Sequence, residues 1–283
     1  MGTRSSLPAA AALLLAAGNS SAAGLDADEI MARVAANQQR AEIARSAIVF
    51  EREVHTRLTK DRKLHREEKH TFTITPTPDG FESTRSSFEG RLRHKGELLP
   101  YGEPHWERTM VDADAIVSEI LLDFVNHKNS RDGIEDDFFP LTSHEQKRYV
   151  FRLLGEEQVD GRATYQVAFE PRKQSDDKSQ RERADWKGEA YIDKREFQPV
   201  YVTTDMARNV PLAIRTILGT NLKQVGFSLH YREVADGVWL PVSYGGEFKI
   251  KGLFFYNRIA TISLVNRDFR RTDVNSSIEF ADQ

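Results

Sequence analysis

Residues Gly188 to Val202, GEAYIDKREFQPVYV, set Gly188, Ala190 and Ile192 in alternation with Lys187, Glu189, Tyr191 and Asp193. Successive side chains of a strand point to opposite faces, so this period of two predicts a half-buried strand. The polar break from Asp193 to Glu196, just before Phe197, predicts a turn. Further on, Asp236-Gly237-Val238-Trp239-Leu240-Pro241 makes a second break before another long run. Gly237 there can take the positive φ that a tight hairpin requires. Runs of this kind specify a large, curved antiparallel sheet with one wet and one apolar face. Such a sheet is a container or a platform before it is an enzyme.

The N-terminus reads as an export signal. Met1 to Ser6 carries Arg4 and no acid, Leu7 to Ala17 is apolar, and Ser21-Ala22-Ala23 offers small residues for cleavage. The apolar run is too short to span a bilayer, so residues 1–23 are expected to be a secretory signal and 24–283 the mature domain. The chain has no cysteine. A disulfide framework and a lipid-anchoring cysteine are therefore not expected, and stability has to come from an ordinary core. The expected product is soluble, exported and periplasmic. With 40 Lys and Arg against 43 Asp and Glu, the charge balance gives no case for nucleic acid. The mixed run from Lys60 to Arg66 reads as a solvated strand face.

Leu25 to Ala47 opens on Asp26 and Asp28 and spaces Ile30, Val34, Ala41 and Arg45 as an amphipathic helix would. Ile48–Thr59, Lys63–Thr75 and Gly80–Gly90 then alternate as a meander, with a turn at Pro76 to Gly80. Asp112 to His127 is the clearest helix: Asp112 suits an N-cap, and Ile116, Ile120, Leu121, Phe124 and Val125 share a face. A polar connection runs on to His144. Strands resume at Tyr149–Leu154 and Thr164–Pro171 around the turn Val159 to Arg162. Pro171 to Arg183 is charged and reads as an exposed tip. After the Gly188 strand and its partner Phe197–Asp205, Ala207 to Gly219 is expected to form a short apolar helix. Leu222–Val234, Val238–Lys251 and Leu253–Asp268 complete the sheet.

The motifs of common enzymes are missing from the sequence: no Gly-x-Ser-x-Gly elbow, Walker loop or dinucleotide fingerprint occurs. Asp136 and Asp137 read as loop solvation. His55, His65 and His70 lack a partnering HExxH or Cys pair, so no metal and no cofactor is expected, and they read as isolated surface histidines. The functional hint is aromatic density. Phe227 and Tyr231 share a face, Phe248 and Ile250 mark the next strand, and Phe254-Phe255-Tyr256 are consecutive. One account makes these residues core. The other makes them the lining of an apolar ligand cavity.

The order of signal, amphipathic helix, meander, crossing helix and second meander resembles the LolA-like and LolB-like periplasmic lipoprotein-carrier superfamily, which includes outer-membrane lipoprotein-sorting proteins. Gly188-Glu189-Ala190-Tyr191-Ile192-Asp193 and Asp236-Gly237-Val238-Trp239-Leu240-Pro241 resemble its two hairpins. The resemblance implies an α+β, mainly β fold, an incomplete barrel with helices on its concave face. It implies a non-enzymatic carrier or sensor of lipid or lipoprotein acyl chains, with envelope proteins and peripheral membrane contact as further partners. The candidate cavity residues are then Ile116, Ile120 and Phe124 on the crossing helix, Leu212 and Ile217 on the short helix acting as a gate, and Phe227, Tyr231, Phe248 and Ile250 on the last strands. The alternative from another class is an envelope structural or interaction module with a filled core and no small ligand.

Overall fold

A computed structural model describes residues 24–77, 80–102, 113–126, 139–172, 185–208, 223–251 and 257–272. Helix α1 (Ala27–Arg40) starts where the sequence puts it. Asp26 accepts from the Glu29 amide and Glu29 reaches back to the Asp26 amide, a capping box that satisfies two otherwise orphaned donors. The expected single helix to Ala47 divides at Ala41, and the short α2 (Glu42–Arg45) follows. Ile30, Met31 and Val34 are fully buried. Each such side chain contributes about 1.5–3 kcal/mol as an upper estimate.

Eleven strands make one antiparallel sheet: β1 (Ile48–Lys60), β2 (Lys63–Thr77), β3 (Gly80–His94), β4 (Glu97–Tyr101), β5 (Tyr149–Val159), β6 (Arg162–Pro171), β7 (Asp185–Asp193), β8 (Pro199–Arg208), β9 (Lys223–Ala235), β10 (Val238–Lys251) and β11 (Asn257–Arg271). Their order is β4-β3-β2-β1-β11-β10-β9-β8-β7-β6-β5, so two meanders meet where β1 zips to β11, and β4 and β5 are left as edges. The sheet does not close into a barrel. Between the edges the chain passes through α3 (Ala113–Phe124) and α4 (Ser143–Gln146).

Three hairpins turn on residue pairs in left-handed backbone, Asp61-Arg62, Lys95-Gly96 and Asp160-Gly161. That geometry matches the right-handed twist of the flanking strands. Gly237 takes φ +67°, as the Asp236-Gly237 break predicts. Strand β4 is unannounced in the sequence, where Glu97 to Tyr101 is short and lacks alternation. The short helix predicted from Ala207 starts too early: Ala207 and Arg208 continue β8, and residues 209–222, with Leu212 and Ile217, lie outside the described residues. So do the signal segment, Asp112, Asp136 and Asp137, the Phe254 to Tyr256 triplet and most of the charged Pro171 to Arg183 stretch.

The two resembling motifs meet at one end of the sheet. Asp193 Oδ1 accepts from the Arg195 and Glu196 amides and shapes the β7–β8 turn. Arg162 reaches Asp193 at 3.1 Å and Glu196 at 3.0 Å, while Trp239 Nε1 donates to Glu196 at 3.0 Å beneath the Arg162 guanidinium. Helix α1 docks on the same turn. Asn37 donates to the Glu196 and Phe197 carbonyls, Gln38 donates to Gln198, and Arg33 lies over the Phe197 ring. The hairpins that carry the resemblance therefore seat the first helix.

Candidate functional site

Residues directly opposite on paired strands project from the same face, so register assigns the inner wall. One row runs His70, Val54, Leu264, Tyr244, Leu229, Val202, Ala190, Val167. The next runs Tyr101, Gly90, Glu68, Thr56, Ile262, Gly246, Phe227, Thr204, Gly188, Phe169. The wall is thus apolar from β11 to β6 except at Thr204, and polar at β1 and β2, where Thr56, Glu68 and His70 lie.

Its centre is an aromatic group around Phe227. The ring centroid of Trp186 is 4.7 Å away, Tyr244 5.1 Å and Phe248 5.4 Å. Gly246 makes this possible, because a Cβ there would lie 3.0 Å from Phe227 and 3.3 Å from Phe248. The rings lie over bare backbone, as aromatic side chains do across strand glycines.

Helix α3 follows the β1–β11 seam and is held at both ends. Near its start Asp114 pairs with Arg258 of β11 at 3.0 Å. Just beyond its last turn the Val125 carbonyl accepts from Arg52 of β1. Arg52 is fully buried, bonds Asn266 at 2.9 Å, and meets the helix at its negative end, where a cation is favoured. The buried face of α3 is Val117, Ser118, Leu121 and Val125.

At β2 the wall carries a buried ionic group. Glu68 accepts from Arg66 Nε at 2.6 Å, from Tyr101 Oη, and from His70 Nε2 at 3.2 Å. Burial pushes the Glu68 carboxyl up, yet the hydrogen bonds from His70 and Tyr101 and the charge of Arg66 hold it below the ordinary range. The ring of His70 stacks on Phe72 and meets Phe88 edge-on at 4.9 Å. On the outer face the same strand carries Glu67, bonded by His55 at 2.8 Å and by Arg91.

Among the sequence candidates, Phe227, Tyr231, Phe248 and Ile250 all lie on this inner wall and are 3%, 7%, 3% and 0% exposed, covered by the protein itself. Ile116 and Ile120 are half-buried on the flank of α3, one position off the Val117–Leu121 line that faces the sheet. Phe124 ends α3. Two expectations are corrected. His70 is not a surface histidine but 1% exposed, and His55 is paired rather than isolated. Arg66, read as part of a solvated basic run, is 4% exposed and turned inward. The signal for both was available: Arg66, Glu68, His70, Phe72 and Ile74 share one parity, and the two apolar members mark it as the buried face. Among the described residues no group of three or more His, Cys, Asp or Glu could hold a metal ion, and no helix is long and apolar enough to cross a membrane.

Fold and wall together define an open antiparallel half-barrel with helices laid across its apolar face. No family model matches the chain, and no curated protein matches it. Among solved structures it is similar to a putative outer membrane lipoprotein-sorting protein domain from Vibrio parahaemolyticus, at 10% identity and TM-score 0.36, over 88% of this chain and 95% of that one. It is likewise similar to a LolA superfamily protein from Nitrosomonas europaea, at 10% identity and TM-score 0.33, and to a DUF1329 family protein from Desulfovibrio piger, at 13% identity and TM-score 0.34, each over the same shares of the two chains. The proteins that the element order resembles are thus among those the chain is similar to in structure. At such identities and TM-scores the likeness says nothing of what this chain binds, which rests on its own residues.

Proposed function

We propose that the chain is an exported, non-enzymatic carrier or sensor that holds lipid or lipoprotein acyl chains between α3 and the inner wall of the sheet. In this reading residues 1–23 direct export, and 24–283 act in the periplasm as one domain. The protein then serves envelope partners, including lipoprotein sorting to the outer membrane, with peripheral contact to the bilayer. The observation that carries the reading is the aromatic wall of Trp186, Phe227, Tyr244 and Phe248 on the face of an open sheet along whose β1–β11 seam α3 lies. Each methylene moved from water into such surroundings contributes about 0.8 kcal/mol, so a long chain binds without a charged anchor. Leu212 and Ile217 remain proposed gate residues, and Ile116, Ile120 and Phe124 proposed flanking contacts.

The competing reading is an envelope interaction module with a filled core. On its side stand the coverage of Phe227 and Ile250 and the unpaired β5 edge, which exposes Val150, Leu153 and Leu154 at 41%, 37% and 42%. Solvent extraction followed by mass spectrometry, and titration of delipidated protein with a fluorescent fatty acid, separate the two. Lipid in the extract or saturable binding supports the carrier. Protein that yields no lipid and binds no probe is the interaction module.

A further inference from the structure

The ionic group at β2 is one atom short of satisfaction, and its neighbours share the deficit. The bond from His70 Nε2 to Glu68 assigns the tautomer, on the strength of the hydrogen-bond network, and leaves Nδ1 as a lone-pair acceptor. His70 is 1% exposed, and its Nδ1 has no partner. Thr56 Oγ1, 1% exposed and directly opposite Glu68, has none, nor has Ser118 Oγ, 2% exposed on the buried face of α3. Buried polar atoms in folded proteins are nearly always paired, so each of the three calls for an explanation.

Geometry brings them to one level. Arg258 and Arg52 anchor α3 at positions eight residues apart along β1, since Ile259 pairs with Thr59 and Asn266 with Arg52. That is about 26 Å of strand beside a helix of about 18 Å, the difference lying within the reach of two arginine side chains. Ser118 falls near the midpoint of α3, and Thr56 is the midpoint of the strand segment. His70 pairs with Val54, two residues from Thr56 along β1. The set therefore offers one acceptor and two hydroxyls, beside an Arg66–Glu68 pair whose charges already cancel.

We propose that these three residues form a subsite for the uncharged, hydroxyl-bearing head of the acyl ligand, with the ligand hydroxyl donating to His70 Nδ1 and accepting from Thr56 or Ser118. This rests on the carrier reading above and names the ligand class. A charged head is disfavoured because a further charge would be buried next to a pair already neutral.

The test uses the delipidated full chain and three probes of one chain length, dodecanol, dodecyl methyl ether and dodecanoate, each displacing a fluorescent fatty acid. Dodecanol is expected to bind about tenfold more tightly, because the ether leaves Nδ1 buried without a donor. His70→Phe keeps a ring against Phe72 and Phe88 and has no acceptor in place of Nδ1, so the preference falls to about onefold while ether affinity holds. Thr56→Val, which leaves Glu68 and its partners untouched, shrinks the preference independently and covers the case in which His70→Phe misfolds. Equal binding of alcohol and ether by the wild type overturns the headgroup subsite and leaves the carrier standing. So does tighter binding of dodecanoate than of dodecanol. Failure of dodecanol to displace a bound fluorescent fatty acid overturns the subsite alone, and failure of the fluorescent fatty acid itself to bind takes down the carrier reading and the subsite with it.

Discussion

Gly90→Ala is expected to destabilise the protein, although at an ordinary strand glycine the same change stabilises. Gly90 has no positive φ, so alanine fits its backbone, and replacing a strand glycine contributes about 0.5–1 kcal/mol from reduced chain entropy. The added Cβ, however, would lie 2.5 Å from Tyr101 Cζ and 2.8 Å from Phe88 Cζ. Carbon atoms rest at about 3.5–4.0 Å, so the Tyr101 ring must retreat by about 1 Å. That takes its hydroxyl out of range of Glu68, which lies on the same row. A hydrogen bond to a charged group contributes about 1.5–3 kcal/mol, giving a net loss of about 1–2 kcal/mol. Urea unfolding reads it directly. Tyr101→Phe should cost a similar amount, and the double variant should fall short of additivity by at least about 1 kcal/mol, since both remove one bond. A gain in stability for Gly90→Ala, or additive losses, would refute the link between edge strand β4 and the ionic group.

Three further outcomes are expected. Trp239→Phe should cost about 1 kcal/mol, because its bond goes to a Glu196 whose side chain is 32% exposed; a cycle with Glu196→Gln that shows no coupling would dissociate the two hairpins. Arg52→Met should cost about 2–3 kcal/mol by stripping donors from Asn266 and Val125, and hydrogen exchange should quicken in α3 before β7 and β8; unchanged protection of α3 would mean that the arginine does not hold it. Acidification should lower stability in two windows. His65 titrates below its ordinary 6.5, through burial and the nearby Arg258 charge, so the unfolded chain takes up that proton first and stability begins to fall below pH 6.5. Glu68, despite burial, titrates below 4.5, so its contribution is present above pH 4.5 and is lost as pH falls through the lower folded value. Urea midpoints that stay level from pH 7 to 3 would contradict both.

The sequence by itself determined the elements wherever one periodicity dominated. The alternation through Ala190 and Ile192, the Asp160-Gly161 turn and the Asp26 cap are local facts, settled by backbone sterics and hydrogen bonds within a few residues. It also put Phe227, Tyr231, Phe248 and Ile250 on shared strand faces. Only the tertiary structure decided what lay opposite each face. Arg66 and His70 read as a wet surface because charges flank them on both parities. They are buried because the Phe88 side chain of β3 and the Tyr101 side chain of β4 lie against them on a face that Phe72 and Ile74 turn inward. Ile116 looked central on α3, and Val117 with Leu121 took that place because Arg52 and Arg258, far apart in sequence, set the rotation of the helix. The pairing of β1 with β11, which joins the two meanders into one sheet, is a contact across more than 200 residues. No local pattern encodes it, since its free energy comes from burying two inner faces at once.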